Sequence, residues 1–311
     1  MNAMTQPPSE IREITANGLK FCVETRGNPE GEPVLFVMGL GAQMTLWPDA
    51  FLDRFVEAGY YVIRFDNRDI GLSTHLNDRL AGHPLSVMVR SRLGLAIEAP
   101  YTLHDMARDT LAIIEALELP WVHLVGASMG GMISQLVAAK YADRVRSLTL
   151  LMTSTNSPRL PMPKPELVMK MAGYGVQGHS EEAVVERVYQ FWAAIQSPAY
   201  PTPEREVRER IRRDFHRAYH PAGILRQTRA ILATGSVSSW TRKIDRPTAI
   251  IHGDADPLVR PSSAEQLKYL LPHARIDLIH GMAHDIPVPL WPRISNFAMS
   301  LMADASRDAA R

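Results

Sequence analysis

The residues with the most chemical content are Gly126, Ala127, Ser128, Met129, Gly130 and Gly131, a G-x-S-x-G pattern with one further glycine. A valine-rich stretch at 122–125, apolar but for His123, precedes it and reads as a buried strand. Ile133, Leu136, Val137 and Lys140 follow at helical spacing, so Ser128 is expected on a strand-to-helix turn with its hydroxyl pushed out above a sheet. The helix that starts at Met129 brings unpaired backbone N–H groups and a positive dipole end beside that hydroxyl, an arrangement suited to a developing oxyanion. The plainer alternative is a glycine-rich turn carrying a solvated serine. The flanking strand, the flanking helix and Gly131 weigh against it.

A serine hydroxyl at its ordinary pKa is a poor nucleophile, so this chemistry requires a base within hydrogen-bond reach and a carboxylate to orient that base. Two later strand ends offer them. The strand expected at 248–252 leads into Gly253, Asp254, Ala255, Asp256 and Pro257, and the strand expected at 276–279 leads into His280, Gly281, Met282, Ala283 and His284. Asp256 lies further from its strand and can point toward the next loop, whereas Asp254 is expected to cap the turn. His284 lies past Gly281 on a loop able to swing over the sheet, and His280 is still close to the strand. A histidine taken at random from the 11 in the chain is more often a plain surface or core residue. What singles out His284 is the order Ser, Asp, His with each residue at a carboxyl edge, where α/β sheets place their reactive groups.

The elements that must position these groups follow a strand-helix alternation. Residues 11–25 alternate around Asn17-Gly18 as a hairpin would. The run 33–38 reads as a strand covered on both faces, 47–58 as a helix, and 60–65 as the next strand, which implies a right-handed crossover and a parallel sheet. Residues 66–101 carry no clear period and are expected to form an excursion near the carboxyl edge. A helix is predicted over 103–119 and a strand over 145–152. From about 154 to 240 the chain is proline-spotted and helix-like. The α/β pattern then resumes with strands at 248–252 and 276–279 and helices at 264–271 and 291–302, before a frayed tail at 303–311. The expected organisation is a core of 11–153 with 241–302 and a helical cap of 154–240 inserted between two sheet strands. Within the cap, the charged stretch 204–217 reads as a solvated helix face rather than a basic binding surface. Met169, Met171, Tyr189, Phe191 and Trp192 are mostly expected to be the segment's own small core.

Bulk properties exclude several classes. With 34 Lys and Arg against 33 Asp and Glu, the formal charge is +1, and neither a nucleic-acid nor an acidic-membrane partner is implied. Cys22 is the one cysteine, so no intrachain disulfide can form and a core thiol is expected. The polar start lacks the basic and apolar blocks of a signal peptide, and no stretch approaches about 18 uninterrupted apolar residues, so no membrane span is expected. A reducing compartment fits without being required, and the expected location is cytoplasmic. Gly39-x-Gly41 also follows a strand, which raises a dinucleotide-dependent oxidoreductase, but Met44 stands where the third glycine would be.

Together these residues resemble the α/β-hydrolase superfamily over about 11–302: the Ser128 turn, Gly253-x-x-Asp256 and Gly281-x-x-His284 match its nucleophile, acid and histidine patterns. The stretch from Phe65 to Ser73, with Asp69 where many members have glycine, is similar to the branch of serine carboxylesterases that contains aclacinomycin methylesterase. The resemblance implies a mostly parallel sheet flanked by helices with a helical cap, hydrolysis of a carboxylic ester by Ser128, His284 and Asp256, and no cofactor or metal. It implies backbone oxyanion donors at Met129 and, from the Gly39-Leu40-Gly41 loop, Leu40. It also implies that Asp66 and Arg68 hold their loop. Met38 stands where many members have histidine, which leaves the donor amide in place. The expected partner is a small-molecule ester, with a homo-oligomer left open. The same triad serves C–C bond hydrolases, lactonases, proline aminopeptidases and perhydrolases, and some relatives are non-enzymatic ligand receptors.

Overall fold

The computed structural model describes residues 9–78, 80, 87, 89–90, 93–174 and 180–309, so part of the 66–101 excursion and the side chain of Met171 lie outside the described residues. Strands β1 (Ser9–Ala16) and β2 (Leu19–Arg26) form the expected hairpin, with Asn17 at φ 49° and Gly18 at φ 75°. Positive φ at both turn positions matches the right-handed twist of the paired strands, which is why an Asn-Gly pair stands there. β3 (Pro33–Val37), β4 (Tyr61–Phe65), β5 (Val122–Ala127), β6 (Val145–Leu151), β7 (Thr248–Gly253) and β8 (Arg275–Ile279) complete an eight-stranded sheet in the order β1-β2-β4-β3-β5-β6-β7-β8. β1, β2 and β4 pair antiparallel, and every other neighbouring pair is parallel.

All five residues of β3 are buried because the sheet is covered on both sides. Leu35 and Val37 face one core, into which α2 (Leu103–Ala116), α3 (Met129–Lys140) and α9 (Ser262–Leu270) send Met106, Ile113, Leu136 and Leu267. Val34 and Phe36 face the other, filled by Phe51, Leu52 and Phe55 of α1 (Asp49–Glu57) and by Ile294, Ala298 and Met302 of α10 (Trp291–Ala309). The alternation of β3 between two apolar clusters is the period-2 geometry of a strand inside a three-layer fold.

Two boundaries differ from expectation. The helix predicted over 47–58 starts at Asp49, because Pro48 fixes an extended backbone there and a 3₁₀ turn, Met44–Leu46, occupies the preceding residues; Trp47 sits in the core instead. The tail expected to fray after 302 is helical to Ala309. Ala305 is buried, Asp304 pairs with Arg275 and Ser306 donates to Glu32 at 2.8 Å, so packing overrides the weak amphipathic signal.

Between β6 and β7 lie only helices among the described residues: α4 (Pro165–Tyr174), α5 (Glu181–Ile195), α6 (Glu204–Arg217), α7 (Pro221–Thr234) and α8 (Ser238–Thr241). α6 presents Glu204–Arg208 and Arg205–Glu209 pairs at i,i+4 to solvent, as expected of a solvated face. Its far end turns inward. Asp214 accepts from the Thr45 hydroxyl at 2.7 Å, and Arg217 meets the buried carboxylate of Asp66 at 2.7 Å. Met169, expected in a small core, stands 76% exposed, whereas Phe191 is buried with Leu167 and Ile195. Among the described residues no helix is long and apolar enough to cross a membrane.

Candidate active site

Ser128 sits between β5 and α3 at φ 55°, ψ −121°, a conformation a side-chain-bearing residue adopts only when its surroundings impose it, at about 1–3 kcal/mol. Those surroundings are visible. The Ser128 amide donates to Leu151 O at 3.0 Å, and its carbonyl accepts from the Thr153 hydroxyl at 2.6 Å. A Cβ at Gly130 would stand 2.1 Å from Val37 O, and one at Gly126 would stand 2.5 Å from Gly130 O. Both glycines are thus required by the closeness of β3, β5 and α3, not by backbone freedom.

Asp256 and His284 reach the same point from the ends of β7 and β8. The two loops are pressed together: a Cβ at Gly253 would come within 2.0 Å of Met282 O. Asp256 is buried, and one carboxylate oxygen accepts the Leu258 and Val259 amides at 2.8 Å each. The other lies 2.7 Å from His284 Nδ1, and His284 Nε2 lies 3.0 Å from Ser128 Oγ. Since a carboxylate only accepts, the geometry assigns the proton to Nδ1 and leaves the Nε2 lone pair toward the serine hydroxyl.

The other two candidates pair elsewhere. Asp254 does not cap its own turn; it accepts the Gly281 amide at 2.7 Å and meets His280 Nδ1 at 2.8 Å, tying one loop to the next on the exposed side. Asp66 and Arg68 do hold their loop. Asp66 accepts the amides of Met44 at 2.7 Å and Leu72 at 2.9 Å, and Arg68 makes two 2.5 Å bonds to Asp109 of α2.

Three contributors escape a reading of the sequence. His252, fully buried behind Asp256, donates from Nε2 to Val259 O at 2.8 Å, and burial pushes its pKa down, so it stays neutral and leaves Asp256 without a competing cation. Its one signal was its place at the end of β7. Ser197 lies just past α5; its hydroxyl accepts the Ala283 amide at 2.8 Å, and the Ile195 carbonyl accepts the His284 amide at 2.9 Å. Asp285 accepts from the Ser197 amide at 2.9 Å, and burial pushes its carboxyl pKa up. The loop carrying His284 is therefore braced by the helical insertion.

On the opposite side of the serine, a Cβ at Gly39 would lie 3.1 Å from Ser128 Cβ and 3.6 Å from its Oγ, so the loop after β3 runs directly past the hydroxyl. The Leu40 amide donates to no group among the described residues. Met129, as the first residue of α3, has an amide with no partner inside the helix. A cleft of about 690 Å³, its open mouth included, begins at Gly41 and Gln43 and runs under the insertion between Trp192, Asp214, Phe215 and His220. Trp192 thus lines a cleft as well as packing on Phe191 at 6.1 Å. Cys22 is buried as expected, and burial raises its thiol pKa. Among the described residues no group of three or more His, Cys, Asp or Glu side chains is arranged to hold a metal ion.

This sheet order, with a strained serine turn after β5 and histidine and acid loops at neighbouring strand ends, defines a class. The family model described as the alpha/beta hydrolase fold matches residues 32–286, and the chain belongs to that family. It is 26% identical to rhodomycin D methylesterase DnrP of Streptomyces peucetius and 27% identical to rhodomycin D methylesterase DauP of Streptomyces sp. strain C5, each over 298 residues covering 89% of this chain and 93% of the relative. Among solved structures, an esterase from Exiguobacterium antarcticum superposes with a TM-score of 0.71 at 20% identity, covering 94% of this chain and 98% of the other.

Proposed function

We propose that this protein is a carboxylic ester hydrolase that works through an acyl-enzyme. Ser128 Oγ attacks the ester carbonyl while His284 Nε2 takes its proton; the carbonyl oxygen becomes an oxyanion received by the amides of Leu40 and Met129. Asp256 keeps the imidazole in the required tautomer and offsets its positive charge. The tetrahedral centre collapses, the C–O bond breaks, and the alcohol leaves with the proton from His284. Water, deprotonated by the same imidazole, then attacks the acyl carbon and returns Ser128 as a free hydroxyl with a carboxylic acid released.

The observation that carries this reading is the unbroken chain Ser128 Oγ to His284 Nε2 at 3.0 Å and His284 Nδ1 to Asp256 at 2.7 Å. The two methylesterase relatives support an ester as the substrate class. Each oxyanion amide is expected to supply about 2.7–4 kcal/mol to the transition state. The reading includes the division into a core of 11–153 with 241–302 and a cap of 154–240, with the cleft under α5 and α6 receiving part of a small ester, and a cytoplasmic location. A fluorophosphonate probe tests it: adduct mass on the peptide containing Ser128, with hydrolysis of short p-nitrophenyl esters lost in proportion, is the expected result. A chain that neither labels nor hydrolyses any ester, with the fold intact, would overturn it.

A further inference from the structure

The loop from Met38 to Gly41 has little regular structure of its own, yet it must aim the Leu40 amide. It is held at two places. At one end the Asn67 side chain donates to Met38 O at 2.9 Å, and both residues are buried. At the other, the Gly41 amide donates to Gln227 Oε1 at 2.9 Å, while Gln227 Nε2 donates to Arg68 O at 2.8 Å. Gln227 is fully buried, and its carboxamide spends its oxygen on one loop and its nitrogen on the other. It belongs to α7, on the helical insertion, 186 positions from Gly41.

α7 is itself seated tightly. Arg226, the preceding residue, pairs with both oxygens of Asp69 at 2.7 and 2.9 Å, and a Cβ at Gly223 would lie 1.9 Å from Asp69 O. Asp69 takes φ 70° to present this carbonyl and carboxylate, and the departure from glycine at that position is thereby explained, because Asp69 forms the socket for α7. Gly41 lies at φ 69°, where no side chain restricts the backbone and an outside hydrogen bond must fix the peptide plane.

We propose that Gln227 is a positioning residue for the oxyanion loop: it holds the Leu40–Gly41 peptide plane as Asn67 holds the Met38–Gly39 plane, and between these two anchors the Gly39–Leu40 plane is set so that the Leu40 amide points at the reacting oxygen, and the hole is complete only while α7 is docked. This rests on the assignment of Ser128, His284 and the Leu40 amide above. Misplacement of a donor acts on the transition state and leaves ground-state binding largely alone.

The test replaces Gln227 by Met, similar in length but unable to make either bond, and measures kcat, KM and the affinity of phenylboronic acid, whose tetrahedral adduct on Ser128 places an oxygen where the oxyanion would sit. Expected are a kcat about 10- to 100-fold lower, KM within about threefold, and boronate affinity weakened by the same factor as kcat. Gln227→Glu keeps an acceptor for the Gly41 amide and is expected to retain more of both; it carries the same readouts if Gln227→Met does not fold. Met302→Ala, far from the site, serves as the control that lowers melting temperature without moving either constant. Unchanged kcat and boronate affinity in the Gln227 variants would overturn the inference while leaving the ester-hydrolase reading intact. A wild-type protein that hydrolyses no ester and takes up no boronate would overturn both.

Discussion

At the scale of single residues, the proposed roles differ in what their loss does. Ser128→Ala is expected to lower kcat on an active ester by about 10⁶-fold, and adding His284→Ala should make it no worse, because the pair acts as a unit. Asp256→Asn, which keeps the shape but reverses the tautomer preference, should lose about 10⁴-fold. Steady-state rates on one p-nitrophenyl ester across the three variants check this. A separate expectation concerns His123, a buried residue of β5 with Nδ1 2.8 Å from the Ser147 hydroxyl. Burial holds its pKa down to about 4, against an ordinary 6.5, despite the neighbouring Glu32. Between those two values the unfolded chain binds a proton that the folded chain refuses, so stability falls as pH drops from 6.5 toward 4. Urea midpoints for His123→Asn should show a shallower decline over that window than wild type.

At the scale of elements, the seat of α7 can be probed directly. Arg226→Ala leaves the fully buried Asp69 carboxylate without its partner, and about 3–5 kcal/mol of stability should be lost in denaturant titrations. Gly223→Ala should loosen the same contact by steric means, since the added methyl falls on Asp69 O. Much at this scale was legible beforehand. A continuous apolar run marked β3, because a strand covered on both faces has no polar side to show; the largely apolar stretches of β5 and β7 marked those strands despite His123 and His252, and Asn17-Gly18 marked the hairpin. Strand ends pointed to Ser128, Asp256 and His284, the last two rather than Asp254 and His280 because they stand further along loops that can turn over the sheet. The partners of those residues were not legible. Gln227, Ser197 and Arg217 reach across 186, 88 and 151 positions respectively to Gly41, Asp285 and Asp66, and the local pattern of an amphipathic helix does not say which loop its polar residues will meet.

At the scale of the whole molecule, the final helix closes the fold. It packs Ile294, Ala298 and Met302 on the sheet face opposite α3, and its last turns reach Arg275 and Glu32. Removing residues 303–311 should lower the melting temperature by several degrees, at about 2–4 °C per kcal/mol for a chain of this size, as calorimetry would record. Ester turnover in the surviving native fraction should stay near wild type, since the contacts of Asp304, Ala305 and Ser306 lie at Arg275, the core and Glu32 and not at Ser128.

The order of the groups along the chain has a temporal consequence. Ser128 is in place on its turn when β3, β5 and β6 have paired, yet His284 is 156 positions further on and Asp256 lies beyond the insertion. A nascent polypeptide emerging from the ribosome would carry Ser128 for the whole time that the insertion is being made, with no imidazole to arm it. The hydrolase would thus be born inert and switch on only at completion, and in refolding the return of turnover should be the last signal to recover.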